Sequence, residues 1–166
     1  VQTFARLLPA AAVTTALVLV AVALLFPATM WRDHVVDAVA SLTYTENLRL
    51  QQAGTDYFAT NDALASPFQH FWSLSIQGQV FVMWALVHAG AELAARAARI
   101  PVRRVLLGVF GVVLAASLAW SIVLTAADQT FAYFDTWARL WEFAAGSLLA
   151  LVQHWIRLPA ALRAAL

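Results

Sequence analysis

The chain has 166 residues, of which 63% are hydrophobic and only 11% charged, and its mean hydropathy is +0.75. An ordinary soluble domain carries about 25% charged residues, so the composition is that of a membrane protein. A net charge of +1 argues against a nucleic-acid partner, and the absence of cysteine excludes disulfides and thiolate metal sites.

Leu7 to Phe26 is an uncharged run, long enough to cross a hydrocarbon core of roughly 30 Å. Pro9 falls in its first turn, where proline is tolerated. A cleavable signal peptide is the competing reading, with Arg6 as its charged region, but no clean cleavage motif follows and the run is long. The chain opens on Val1, with Arg6 almost directly before this run, and so reads as the interior of a longer protein.

Residues 27–65 form a polar excursion. Trp31 sits where an interfacial aromatic belongs. Val35, Val36, Val39 and Leu42 recur at helical spacing, which predicts a short amphipathic helix lying on the membrane surface. Tyr44 to Asp62 has little periodicity and contains Gly54, Asp56 and Asn61, so it reads as an ordered loop.

Ser66 to Phe81, SPFQHFWSLSIQGQVF, is the densest polar and aromatic stretch. Ser66, Pro67 and Gln69 have the form of an N-cap, a first-position proline and a capping box. The helix they start places His70, Ser73 and Gln77 on one face, with Phe81, Trp84 and His88 continuing the stripe. His70, near the positive end of the helix dipole, is favoured as a neutral imidazole that can accept a proton. Read from spacing alone, it is as readily a histidine that orients the loop above. Gln77 and Gln79 straddle Gly78, and buried amides serve either as interhelical bonds or as contacts to a polar substrate. Gly78 leaves room for close approach of another group.

The second span covers 76–95 and ends in Arg96, Arg99, Arg103 and Arg104 around Pro101. These arginines read as topology determinants, with a phosphorylated cytoplasmic ligand as the alternative. A third span, 105–126, is interrupted only by Ser117, Ser121 and Thr125, whose hydroxyls should bond to their own or a neighbouring helix. A short acidic connection, Asp128 to Asp135, leads to a fourth span, 137–155. Glu142 lies near its start, where an ionisable side chain marks a candidate site, and Arg139 stands three residues earlier as its partner. A neutralised structural pair is the competing reading. Gly146 and Ala150 have the spacing of a helix-packing pair. The fold expected is therefore all-α, a polytopic transmembrane bundle with about four spans in one domain over 1–166. If the spans alternate, Arg6, the 96–104 cluster, Arg157 and Arg163 share one side, which the positive-inside rule makes cytoplasmic. The loop 27–65 and the start of the second helix then face outward.

These residues together resemble the membrane-bound acyltransferase family 3, the O-acyltransferases of lipopolysaccharide, peptidoglycan and exported polysaccharides. SPFQHFWSLSIQGQVF is similar to that family's S-P-L-L-H-x-W-S-L-S-V-E-E-Q-F-Y signature. FARLLPA at 4–10 resembles its R-x-x-R-x-x-P element, GTDYFA at 54–59 the loop before the signature, and TWARLWEFAAGSLLAL at 136–151 its T-R-x-W-E-x-x-x-G helix. The resemblance implies an enzyme of a bacterial-type inner membrane. It moves an acyl group, often acetyl, from acyl-coenzyme A to a hydroxyl of a glycan or glycolipid. It also implies that the main catalytic histidine lies upstream of these residues. On matching positions it gives His70 and Glu142 as catalytic candidates, Trp72, Ser73, Gln77, Gln79, Arg139 and Trp141 as substrate contacts, and Arg6 as a donor contact. It implies no metal and no bound cofactor, acyl-coenzyme A being a substrate. Two positions depart from the pattern: Thr3 replaces the first arginine, and Gln77–Gly78 replaces the acidic pair. An amide bonds a hydroxyl but is not a base near neutral pH. The alternative function is a non-catalytic membrane component that binds or passes a glycan or lipid-linked intermediate.

Overall fold

The computed structural model describes residues 2–54 and 66–153, with side chains from Pro9 onward. Every regular element among these residues is helical: α1 Gln2–Leu25, α2 Trp31–Leu42, α3 Glu46–Gln52, α4 Trp72–Ala98, α5 Val102–Ala127, α6 Gln129–Phe134 and α7 Thr136–Val152. Single 3₁₀ turns, Ala28–Met30 and Gln69–Phe71, lead into α2 and α4. Among the described residues two helices are long and apolar enough to cross a membrane: α4 with its leading turn, Gln69–Ala98, and α5, Val102–Ala127. Pro9–Leu25 is a shorter apolar helix.

The shaft is built from α4, α5 and α7, with α5 and α7 packed along each other. Two small apolar cores lie between them. One holds Ile76, Val80 and Leu140, and the other Ala91, Leu106 and Phe110, where Trp84 stacks on Phe110 with centroids 5.3 Å apart. Polar clips fix the register. The Trp84 indole donates to Ser147 Oγ at 2.8 Å, and Arg103 Nη2 donates to the Leu151 carbonyl at 2.6 Å, closing an open helix end. Of the two partners expected for Ser117, its own helix or a neighbour, it takes the neighbour by entering the α7 backbone ladder. Its hydroxyl donates to the Trp137 carbonyl at 2.6 Å and accepts from Trp141 N–H at 2.8 Å. Large apolar side chains point outward, among them Leu24 (79% exposed) and Val112 (69%). So much apolar side chain facing outward suits helices bathed in hydrocarbon.

α2, α3 and α6 form a cap at the end where α4 and α7 begin, with α1 packed against α2. Four expectations change here. The stretch from Tyr44 is not a loop throughout, because Glu46–Gln52 is helical; Asp56, Asn61 and Asp62 lie outside the described residues. The capping box at Ser66 does not form. Ser66 Oγ accepts from Phe68 N–H at 3.2 Å but donates to Asp37 Oδ2 at 2.6 Å, so the segment is tethered to α2 and α4 begins only at Trp72. His70 consequently sits in a 3₁₀ turn ahead of the helix, not in its first α-helical turn. Gly146 faces open space, so the Gly146–Ala150 pair is not a packing seam among the described residues.

On α2 the valine stripe points outward as spacing requires: Val35, Val36 and Val39 are all exposed. The opposite face of α2 is polar and buried, carrying His34, Asp37 and Ser41. α2 therefore turns its polar side inward.

Candidate functional site

The residues singled out in the sequence divide into three groups. The first is an open cleft of about 220 Å³ between α5, α6 and α7, lined by Ser121, Thr125, Gln129, Tyr133, Arg139, Trp141 and Glu142. Asp128 caps α6 through Phe131 N–H at 2.9 Å, and Asp135 caps α7 through Ala138 N–H at 2.8 Å. These two caps set the corner that places Tyr133 beside Arg139. Arg139 Nη1 donates to Glu142 Oε1 at 2.8 Å, as the three-residue spacing predicts. The guanidinium also lies 5.1 Å from the Tyr133 ring centre and 5.5 Å from that of Trp72. Trp72 packs against Tyr133 with ring centres 4.7 Å apart. Trp72, Arg139, Trp141 and Glu142 are thus brought together. Tyr133, which arrives from α6, is not among the residues that spacing singled out. An aromatic wall, a fixed guanidinium and a half-open carboxylate are groups that can stack on a polyol ring and bond its hydroxyls.

The second group is a closed polar junction. Gln79 Nε2 donates to the Tyr44 carbonyl at 2.8 Å and to Asn47 Oδ1 at 2.9 Å, while Thr136 Oγ1 donates to Gln79 Oε1 at 2.6 Å. Asn47 Nδ2 in turn donates to the Phe134 carbonyl at 3.0 Å and to Thr136 Oγ1 at 2.9 Å. Of the two readings left open for Gln79, this is the interhelical bond: its amide joins α4, α3 and the head of α7. Gly78 admits Tyr44, whose ring lies where a β-carbon would fall 2.7 Å from Cγ. Tyr44 itself has φ +58°, a left-handed conformation costly for a bulky residue, and its carbonyl is held there by Gln79.

Beside that junction lies a cluster that spacing did not reveal. Asp37 pairs with Arg49 and accepts from Ser66. His34 Nδ1 stands 3.9 Å from Asp37 Oδ2. Glu46 is fully buried, and among the described residues neither carboxylate oxygen has a hydrogen-bond partner; both ring nitrogens of His34 are in the same state. Burial pushes the Glu46 carboxyl up to about 8, Asp37 pushes the same way, and Arg49 pulls it back. The bond to Asp37 holds the Arg49 guanidinium further above its ordinary value. The available signal was the spacing of His34, Asp37 and Ser41 along one helical face.

The third group is dispersed. His70, Ser73 and Gln77 are exposed, with Ser73 Oγ donating to the His70 carbonyl at 3.5 Å, and none of them lines the cleft. Arg6 lies in α1, but its side chain falls outside those described, as do Arg157, Arg163 and most of the 54–59 stretch. Among the described residues no cluster of histidine and carboxylate side chains has the makings of a metal site. No protein-family model, curated protein or solved structure matches the chain.

Proposed function

We propose that the chain is part of a multi-pass membrane acyltransferase with four spans in these residues, α1, α4, α5 and α7. It carries an acyl group, acetyl in the simplest case, from acyl-coenzyme A on the cytoplasmic side to a carbohydrate hydroxyl on the other. The observation that supports this reading is the meeting of the two stretches with the most specific resemblance. Thr136 bonds Gln79 at 2.6 Å, and Arg139 lies 5.5 Å over Trp72. In the reaction a base takes the acceptor hydroxyl proton, the oxygen attacks the thioester carbonyl, and the thiolate leaves and is protonated. The base proper is the histidine that the resemblance assigns to a helix outside these residues, with His70 and Glu142 the candidates within them. Arg139 and Glu142 would orient the acceptor, and Trp72, Tyr133 and Trp141 would stack on it. Ser73 and Gln77 present further hydrogen-bonding groups on the open face of α4.

One observation favours the non-catalytic alternative. Gly78 stands where the family carries its second signature carboxylate, and the space beside it is filled by the Tyr44 ring. Both readings are tested by purifying the full-length protein and following thiol release from acetyl-coenzyme A with a glycan acceptor. The acyltransferase reading expects transfer by the wild type and a loss of at least about tenfold in Glu142→Gln at unchanged expression. Glycan binding with no transfer would overturn it in favour of the binding component. Equal losses of activity and expression would make Glu142 structural.

A further inference from the structure

The ionisable groups between α2, α3 and the head of α4 are not used by the cleft, and among the described residues two of their carboxylates share one arginine. Arg49, partly exposed, is already engaged by Asp37, which also takes the Ser66 hydroxyl. A second carboxylate, Glu46, is fully buried beside this pair, with neither oxygen bonded among the described residues. An ionised carboxylate in that position would have lost its water and gained only the distant pull of an arginine already bonded to Asp37, which is costlier than a neutral acid.

We propose that this cluster is a proton-operated latch: Glu46 carries a proton while α3 is seated on α4, and gives it up when α2 and α3 lift and water reaches the carboxyl. The inference does not depend on acyl transfer.

The groups facing Glu46 leave the proton as the available neutraliser. From α2 comes Asp37, with His34 3.9 Å from it and Asp33 acting on Arg49, and from α3 itself comes Arg49. From α4 comes only the Ser75 hydroxyl, which accepts from the Glu46 backbone N–H at 3.2 Å; Glu92 and Arg96 lie at the other end of that helix. α6 brings Tyr133, which is turned to Trp72 and Arg139. Asp135, after α6, bonds Trp120, Gln51 and its own helix start. His70, on the turn before α4, is exposed. The seat also has a spring. Tyr44 joins α2 to α3 at φ +58° and is held by the Gln79 amide and the space at Gly78, so lifting α3 lets a strained residue relax.

The sign of the pH effect follows. Glu46 has an ordinary value of 4.5 when hydrated and about 8 when seated. Below the first value both states are protonated, and above the second both are ionised. Between them the seated form holds one more proton, so each unit of rising pH favours the lifted form about tenfold.

The test is hydrogen exchange on the full-length protein in lipid nanodiscs, reading protection of residues 46–52 against unstructured-peptide rates at each pH. Wild-type protection is expected to fall about tenfold per unit between roughly pH 5 and pH 8, and to stay level in Glu46→Gln. Level protection in the wild type, or an equal slope in the variant, would overturn the latch. Should Glu46→Gln not fold, an infrared titration of the wild type decides. A protonated carboxyl that persists at neutral pH and disappears across about pH 8 supports the latch. Absence of any carboxyl titrating above about pH 6 sinks it.

Discussion

The cap and the cleft each hold a carboxylate near an arginine, yet they use the pair in opposite ways. Arg139 and Glu142 stand at a half-open surface, 28% and 42% exposed, where water still solvates both charges and a ligand can replace it. In the cap Arg49 reaches outward, 36% exposed, but Asp37 is only 8% exposed, and Glu46 beside them is fully buried with no hydrogen-bond partner among the described residues. The same residue types therefore suit ligand contact in one place and titration in the other. What separates them is the access of the carboxylates to water. An exposed ion pair contributes little to stability but is free to rearrange, whereas a buried unpaired acid must change its protonation or its surroundings.

Breaking the junction beside the latch should produce the largest effect on folding. Gln79→Leu removes three hydrogen bonds and leaves the Tyr44 carbonyl, Asn47 Oδ1 and the Thr136 hydroxyl without that partner. The expected loss is roughly 2–4 kcal/mol, read as a lower melting temperature in detergent together with lost protection of α3. Gly78→Ala should follow at about 1–3 kcal/mol, because the added methyl displaces the Tyr44 ring. A Gly78→Ala, Tyr44→Ala double variant sharpens the comparison. If the clash is the cause, its loss should be smaller than the sum of the two single losses. Additive losses would mean that the loss in Gly78→Ala does not come from the Tyr44 ring, since alanine is itself the better helix former.

The shaft was legible in the sequence and the cap only partly, for a physical reason. Hydropathy is local, so the apolar runs of α4 and α5 declare themselves within a window. The spacing of Arg139 and Glu142 likewise needs only one helix. Glu46 and Asn47 are buried by partners 29, 87 and 89 residues away, namely Ser75, Phe134 and Thr136. No window of ENLRLQQ contains that information, and seven residues are too few to display a helical period. α2 shows the same limit differently. Its valine stripe was readable, but whether the opposite stripe of His34, Asp37 and Ser41 meets water or protein is decided by α3 and Ser66. Tyr133 reaches the cleft through two aspartate caps at a corner, and nothing in its own neighbourhood announces the arginine it meets.

The cleft should respond least in stability and most in selectivity. Arg139→Lys keeps the charge near Glu142 but loses the flat guanidinium that lies over Trp72 and Tyr133. A partly exposed pair of this kind is worth about 0–1 kcal/mol, so the melting temperature should barely move, and moderate salt should erase what change there is. Binding of a polyol or glycan should nevertheless weaken, because an ammonium neither lies flat over the two rings nor presents two parallel donors. The measurement is paired: thermal melts at low and high salt alongside glycan affinity for wild type, Arg139→Lys and Glu142→Gln. Unchanged affinity with a large loss of stability in Arg139→Lys would reverse the comparison, making the cleft a structural clamp that holds α6 against α7.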